Sequence, residues 1–271
     1  MLRLKIIVNC GPCEAYIGQC LDSIKCQTYP HWEAYVTIDP HGDRTFERAQ
    51  ERKGNDTRMV VMRNTMPLYS LANLVRAIDR SQAQPEDVIV ILDGDDWFYD
   101  ESALQVIVDT YSTYDSWLTY GSWEPNVDDG YVGQWPPYPE GITDFRCRDY
   151  LATQVRTWKK WLWDLIDDRD LRDEKGQYFR TTGDQAVMFP MLEMSGTHRA
   201  KHIPTLLMIY NRATPHSDDK TKYHEMRQTE AYIRSKPSYS QLRGKIVRSG
   251  EEPRSVRSAH GRRCSPRLKE V

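Results

Sequence analysis

The segment DVIVILDGDDWFYD, residues 87–100, constrains the fold more than any other part of the chain. Val88–Leu92 is apolar at every position, so both faces of the strand it forms must be covered. That is the pattern of a central strand in a parallel sheet with helices packed above and below. The strand runs straight into Asp93, Gly94, Asp95 and Asp96. Carboxylates this crowded repel one another, and at a strand end beside a cleft the arrangement is costly unless a cation sits there. Hard oxygen ligands suit Mg2+ or Mn2+, ions that keep waters and bind substrate phosphates. Gly94 would let backbone and ligand approach closely. The same residues also read as an Asp-rich turn capping the helix that begins at DESAL, and the residues alone leave both readings open. An EF-hand is excluded, because Phe98 and Leu104 stand where its loop needs Gly and Glu.

The rest of the first half alternates in type. LRLKIIVN reads as a buried strand, and EAYIGQCLDSIKCQ as a helix with Ile17, Leu21 and Ile24 on one stripe and Cys20 beside it as a small core residue. HWEAYVTID and TRMVVMRN are further strands, joined by a loop. LYSLANLVRAIDRS and ESALQVIVDTYSTY are amphipathic helices, and SWLTYGSW is a fifth strand. A β-α-β order of this kind predicts a mostly parallel sheet covered by helices, with ligands at the carboxyl ends of the strands. The second half opens with a long loop rich in Pro, Gly, Asp and aromatics, where Asp128-Asp129 reads as a turn. It then predicts a helix at VRTWKKWLWDLID, a helix with Asp184 as its N-cap and a kink or break at Pro190, and a strand at AKHIPTLLMIYNRA.

A formal charge of −2 and a pI near 6.4 give no basic field for nucleic acid. No stretch approaches the roughly 20 apolar residues of a spanning helix, so a soluble, cytoplasmic chain is expected. Residues 236–271 are basic, poor in apolar side chains and expected to be disordered, with contact to an anionic membrane surface as the minority reading. The stretch Cys10-Gly11-Pro12-Cys13 is the C-G-P-C of thioredoxin-type redox proteins. Asn9 stands where such a motif carries an aromatic residue, and the motif follows the first strand rather than an earlier β-α unit. A redox role requires a thiol of shifted pKa. No second C-x-x-C completes a zinc site.

Four separated stretches, in order across roughly residues 4–217, resemble family 2 glycosyltransferases of the GT-A fold. They are YIGQCLDSIKCQTYPHWEAYVTID, ILDGDDWF, TTGDQAVMFPMLEMSG and YNRATPHS. The resemblance implies an α/β, Rossmann-like, mostly parallel central sheet with an acceptor-side α+β extension. Its single domain would span residues 1–235, with the donor half at about 1–123 and the acceptor half at about 124–235. It implies inverting transfer of a sugar from a nucleotide donor, usually a UDP-sugar, to the hydroxyl of a glycan or glycoconjugate. Carried over by position, Asp39 would meet the nucleobase, with Asn9, Cys10 and Gly11 in the loop bordering it. Asp93 and Gly94 would face ribose or metal, and Asn73 the diphosphate. Asp93, Asp95 and His216 would hold Mn2+ or Mg2+. Asp184 would be the catalytic base, with Gly183 where the family usually has Glu. Trp123, Trp135 and Trp158 are candidates to stack on acceptor sugars, alongside Tyr131 and Tyr138 in the loop; large aromatics also fill cores. The alternatives are a non-catalytic nucleotide-sugar or carbohydrate-binding module, and a sugar nucleotidyltransferase. The latter needs a basic Gly-rich loop that NCGPCEAY does not supply.

Overall fold

The computed structural model describes residues 1–128, 130, 133–215 and 217–246. Four strands, β1 (Leu4–Cys10), β2 (Trp32–Ile38), β3 (Met59–Arg63) and β4 (Val88–Asp93), run parallel in the order β3-β2-β1-β4. Beyond β4 the sheet changes direction. The short β7 (Thr157–Lys159) pairs antiparallel with both β4 and β6 (Leu118–Pro125), and β8 (Ala200–Tyr210) lies parallel to β6. The two-residue β5 (Trp97–Phe98) closes that edge against β8. This is the mostly parallel sheet expected, with an antiparallel extension on the second half's side.

Strand alternation divides the core in two. Leu4, Ile6, Val8, Val88, Val90 and Leu92 face one layer, while Ile7, Ile89 and Ile91 face the other. Full burial stabilises each such side chain by roughly 1.5–3 kcal/mol relative to exposure, so the apolar run that defines β4 commits it to the interior. The first layer is covered by α1 (Ile17–Lys25), α2 (Thr45–Lys53) and α4 (Ala103–Tyr114). The second is covered by α3 (Tyr69–Arg80), the single turn α5 (Lys160–Trp163), α6 (Gly183–Arg199) and α8 (Tyr223–Ser235), which follows the short α7 (Asp218–Thr221).

Four local expectations are corrected. The 45–53 segment is helical, not a loop: TFERAQERK buries only Thr45 and Ala49, so it carries almost no apolar stripe to read. Its start is fixed instead by polar contacts to α1's entrance. Thr45 Oγ1 accepts the Cys13 N–H at 3.0 Å, and Asp43 Oδ2 accepts the Glu14 N–H at 3.3 Å. The Trp-rich stretch is not a single helix, because Trp158 belongs to β7 and only Lys160–Trp163 turns helically. α6 runs through Pro190; its non-helical residue is Gly196, at φ 61°, and Thr182 rather than Asp184 is the N-cap. The fold also extends past residue 235. Tyr239 is buried, donates its backbone N–H to Glu193 Oε2 at 2.9 Å and its hydroxyl to Asp170 Oδ2 at 2.6 Å, while the Leu242 N–H reaches the Met194 carbonyl. The remainder of the basic tail, from residue 247, lies outside the described residues, as does Asp129 of the expected turn.

β8 reads as a strand despite Pro204, and the register shows how. Gly121 pairs with Ile203, but Ser122 pairs with Leu206, so Pro204 and Thr205 bulge out of the ladder. A residue without an N–H is tolerated there and not inside regular pairing.

Candidate donor and acceptor cavity

Three parallel strands end side by side. Register pairs Cys10 with Ile38 and Asn9 with Asp93, so the residues after β1, β2 and β4 meet at one edge of the sheet. This is where parallel sheets bind ligands. A cavity of about 420 Å3 opens there, lined by Asn9, Cys10, Gly11, Asp39, Asn73, Asp93 and Asp95 on one side and by Asp184 on the other.

Asp39 is 5% exposed and organises the loop before α3. Its Oδ1 accepts Asn64 Nδ2 at 2.8 Å and the Leu68 N–H at 3.0 Å, and its Oδ2 accepts the Tyr69 N–H at 2.8 Å. Burial alone would raise its pKa, but the Asn64 and Asn73 amides and the two backbone N–H groups outweigh that and hold it below the usual carboxylate range. Asn73 is buried, and its Oδ1 accepts Asn64 Nδ2 at 2.6 Å. Tyr69, at φ 64°, turns its ring to the cavity rim, where the Arg180 guanidinium stands 4.7 Å and the Lys222 ammonium 5.5 Å from it.

The three acidic residues at the end of β4 and in the turn beyond it separate in role. Asp93 is pushed up to about 6 by burial and then by the charge of Asp95, with Arg156 pulling the other way. Gln154 Nε2 donates to its Oδ2 at 3.0 Å. Asp95 lines the cavity. Asp96 turns inward with no exposure; its Oδ1 accepts the Asn211 N–H at 2.8 Å, and burial raises its pKa well above normal. Asp96 therefore ties the end of β8 to the turn.

Gly94 shows what the C-G-P-C stretch does here. A Cβ on Gly94 would lie 2.5 Å from Cys10 Sγ and 3.1 Å from Cys13 Sγ, so the thiols fill the space beneath the acidic turn. Both are free and buried. The hydrogen bond to Cys13, then burial, raises the Cys10 thiol well above its ordinary value, and burial does the same to Cys20. Reactive thiols have lowered pKa values; Cys10 and Cys20 are shifted the other way, and the redox reading finds no support.

Asp184 sits in the first turn of α6. Its Oδ2 is 3.5 Å from Arg156 Nη2. Arg156 and Gln154, neither singled out in the sequence, come from the chain entering β7; the Arg156 carbonyl accepts the Ile91 N–H, which holds that chain against β4. The one signal was a lone Arg in the alternation Val155-Arg156-Thr157-Trp158, a charged residue within a strand-like run.

The aromatic candidates do not gather on the acceptor side. Trp123 is 5% exposed, edge-on to Tyr210 in the core, and does not line the cavity. Tyr138 is likewise core. Trp135 is exposed but outside the cavity wall, and Trp158 reaches that wall while 1% exposed. The sugar-stacking expectation therefore does not hold for Trp123, which is sealed between β6 and its neighbours. His216 and Tyr131 lie outside the described residues.

Among the described residues no three His, Cys, Asp or Glu side chains gather at metal-ligand spacing. Asp93 and Asp95 alone still suit Mg2+ or Mn2+, which take one or two carboxylates and complete their shell with water and phosphate. The upward push of Asp95 on Asp93 is charge that a divalent cation would neutralise.

A family model described as glycosyl transferase family 2 matches residues 6–174. No curated protein matches the chain. Among solved structures, S. aureus TarS 1–349 in complex with UDP superposes with a TM-score of 0.64 at 16% identity, covering 86% of this chain and 65% of that one. The same protein with UDP-GlcNAc gives 0.61 at 15% identity, covering 86% and 66%. Mannosyltransferase PcManGT from Pyrobaculum calidifontis, in complex with GDP-Man and Mn2+, gives 0.57 at 19% identity, covering 84% and 61%. The chain spans somewhat less than two thirds of these relatives, and the likeness establishes the shared GT-A architecture.

Proposed function

The chain belongs to glycosyl transferase family 2, and on that premise we propose that it moves a sugar from a nucleoside diphosphate sugar to an acceptor hydroxyl, with a divalent cation and with inversion at the anomeric carbon. The observation that carries this reading is that Asp39, Asp93, Asp95 and Asp184, drawn from three distant parts of the chain, line one cavity. The solved relatives with bound UDP, UDP-GlcNAc or GDP-Man support a nucleotide-sugar donor, with UDP-linked sugars the first choice.

In this reading Asp39 meets the nucleobase at the edge of the cavity. Gly94, without a side chain, keeps the backbone close to the donor. Asp93 and Asp95 would hold Mn2+ or Mg2+, which when bound supplies charge stabilisation to the leaving diphosphate. Arg180 and Lys222 put positive charge at the rim on the same side. Asp184 accepts the acceptor's hydroxyl proton as the new C–O bond forms and the bond to the diphosphate breaks. A base placed within hydrogen-bond reach contributes about 10²–10⁴-fold. Among the described residues no helix is long and apolar enough to cross a membrane.

The test uses water as acceptor, since the acceptor is not identified. The protein is incubated with UDP-GlcNAc or GDP-Man and Mn2+, and the anomeric configuration of the released sugar is read by NMR before mutarotation. Slow release with inverted configuration is expected. Release with retention would exclude the single displacement, and no release from either donor would count against the activity.

A further inference from the structure

Arg156 is the most buried of the three described Arg and Lys side chains that line the cavity. Its side chain is 13% exposed and that of Lys222 35%, while Arg180 lies open to solvent. Taking a guanidinium out of water costs several kcal/mol unless it is well paired. Arg156 is not well paired as a structural residue would be. Among the described residues its one ion pair, to Asp184 Oδ2, is a loose 3.5 Å, and its buried Nε has no hydrogen-bond partner. Yet its placement is firmly imposed. Val155 and Thr157 on either side are fully buried, so strand alternation sends Arg156 the other way, into the cavity. The groups facing it are Asp184, Tyr150, Asp93 and Tyr210, so it stands between the carboxylate on the acceptor side and the acidic turn on the donor side.

We propose that Arg156 is a positioning residue for the transfer step. It holds Asp184 through Oδ2, so that the carboxylate is directed at the acceptor hydroxyl whose proton it receives. The inference rests on the reading of Asp184 as the base. A guanidinium at this point fixes the direction of the carboxylate and sets a positive charge between it and Asp93, which a neutral side chain cannot do. Misplacing a reacting group by about 1 Å costs on the order of 10²-fold in rate. On this reading Arg156 acts through Asp184 rather than on the nucleotide, so the nucleotide should bind without it.

The experiment compares wild type with Arg156→Gln, Arg156→Lys and Arg156→Ala, using UDP-GlcNAc and GDP-Man hydrolysis for kcat and UDP or GDP with Mn2+ for affinity. Arg156→Gln is expected to lower kcat about 10–100-fold and to leave nucleotide Kd within about threefold. Arg156→Lys should recover part of the rate, and guanidinium ion added to Arg156→Ala should restore activity while leaving Arg156→Gln unchanged. Unchanged kcat in Arg156→Gln overturns the proposal. So does a parallel loss of nucleotide affinity, or a rate loss tracking a lowered melting temperature in all three variants. Full activity in Asp184→Asn, or no turnover by wild type, instead removes the base reading, and this inference with it.

Discussion

Two arginine–carboxylate pairs flank α6, and they are built differently. Arg146 and Glu193 are each 2% exposed; the guanidinium forks onto the carboxylate at 2.6 and 3.1 Å and also donates to the Ile233 carbonyl at 2.7 Å. Glu193 accepts the Tyr239 N–H as well, so the pair joins α6, α8 and the segment beyond residue 236. Arg156 and Asp184 touch once, at 3.5 Å, with side chains 13% and 29% exposed and the Arg156 Nε unpartnered. A buried polar network that is fully satisfied rigidifies a core, while one left partly satisfied is costly. One pair uses its hydrogen-bonding capacity on the fold. The other withholds part of it at a cavity, which is where a reaction can use it.

The widest separation between the pairs should come from removing one carboxylate. Asp184→Asn is expected to lower turnover about 10²–10⁴-fold with little change in melting temperature; a stability loss with intact turnover would reverse the assignment of the two pairs. Arg146→Ala should do the opposite, destabilising the fold by about 3–5 kcal/mol by leaving Glu193 buried and unpaired, read by chemical denaturation. A smaller effect tests the donor side. Gly94→Ala forces a methyl against Cys10 Sγ and should cost about 1–3 kcal/mol. Cys10→Ala in the same chain should recover part of that, and no recovery would mean that the thiols do not support the turn. The smallest concerns Asp39. Its pKa is lowered on folding, so it contributes stability above its unfolded value of about 3.9 that is lost as pH falls through its lower folded value. Asp39→Asn should be modestly destabilised near neutrality and should show less of this acid loss; an unchanged acid profile would contradict its depressed pKa.

The parallel half was readable because its information is local. Val88–Leu92 is apolar on both faces, and Asp39 and Asp93 follow their strands directly, so naming the strands nearly names the cavity edge. The other half depends on contacts between distant residues. β7 has three residues and is a strand only because β4 and β6 supply partners, so Trp158 looked helical in a Trp-rich run. Arg156 gains its meaning from Asp184, which no local periodicity could reveal. α2 was missed because charged side chains nearly surround it, and its start is set by bonds to the residues before α1. Tyr239 looked like part of a solvated tail because the groove that receives it, at Glu193 and Asp170, is built by other elements.

In the proposed reaction Asp95 and Asp184 act on opposite sides of one bound donor. Calorimetric titration of UDP-GlcNAc and GDP-Man, with and without Mn2+, into wild type, Asp95→Ala and Asp184→Asn tests this most directly. Wild type and Asp184→Asn should bind one of the two donors equally well and more tightly with Mn2+, while Asp95→Ala should lose the increment due to Mn2+. Binding indifferent to Mn2+ in wild type, or a loss of donor affinity in Asp184→Asn as large as in Asp95→Ala, would contradict it.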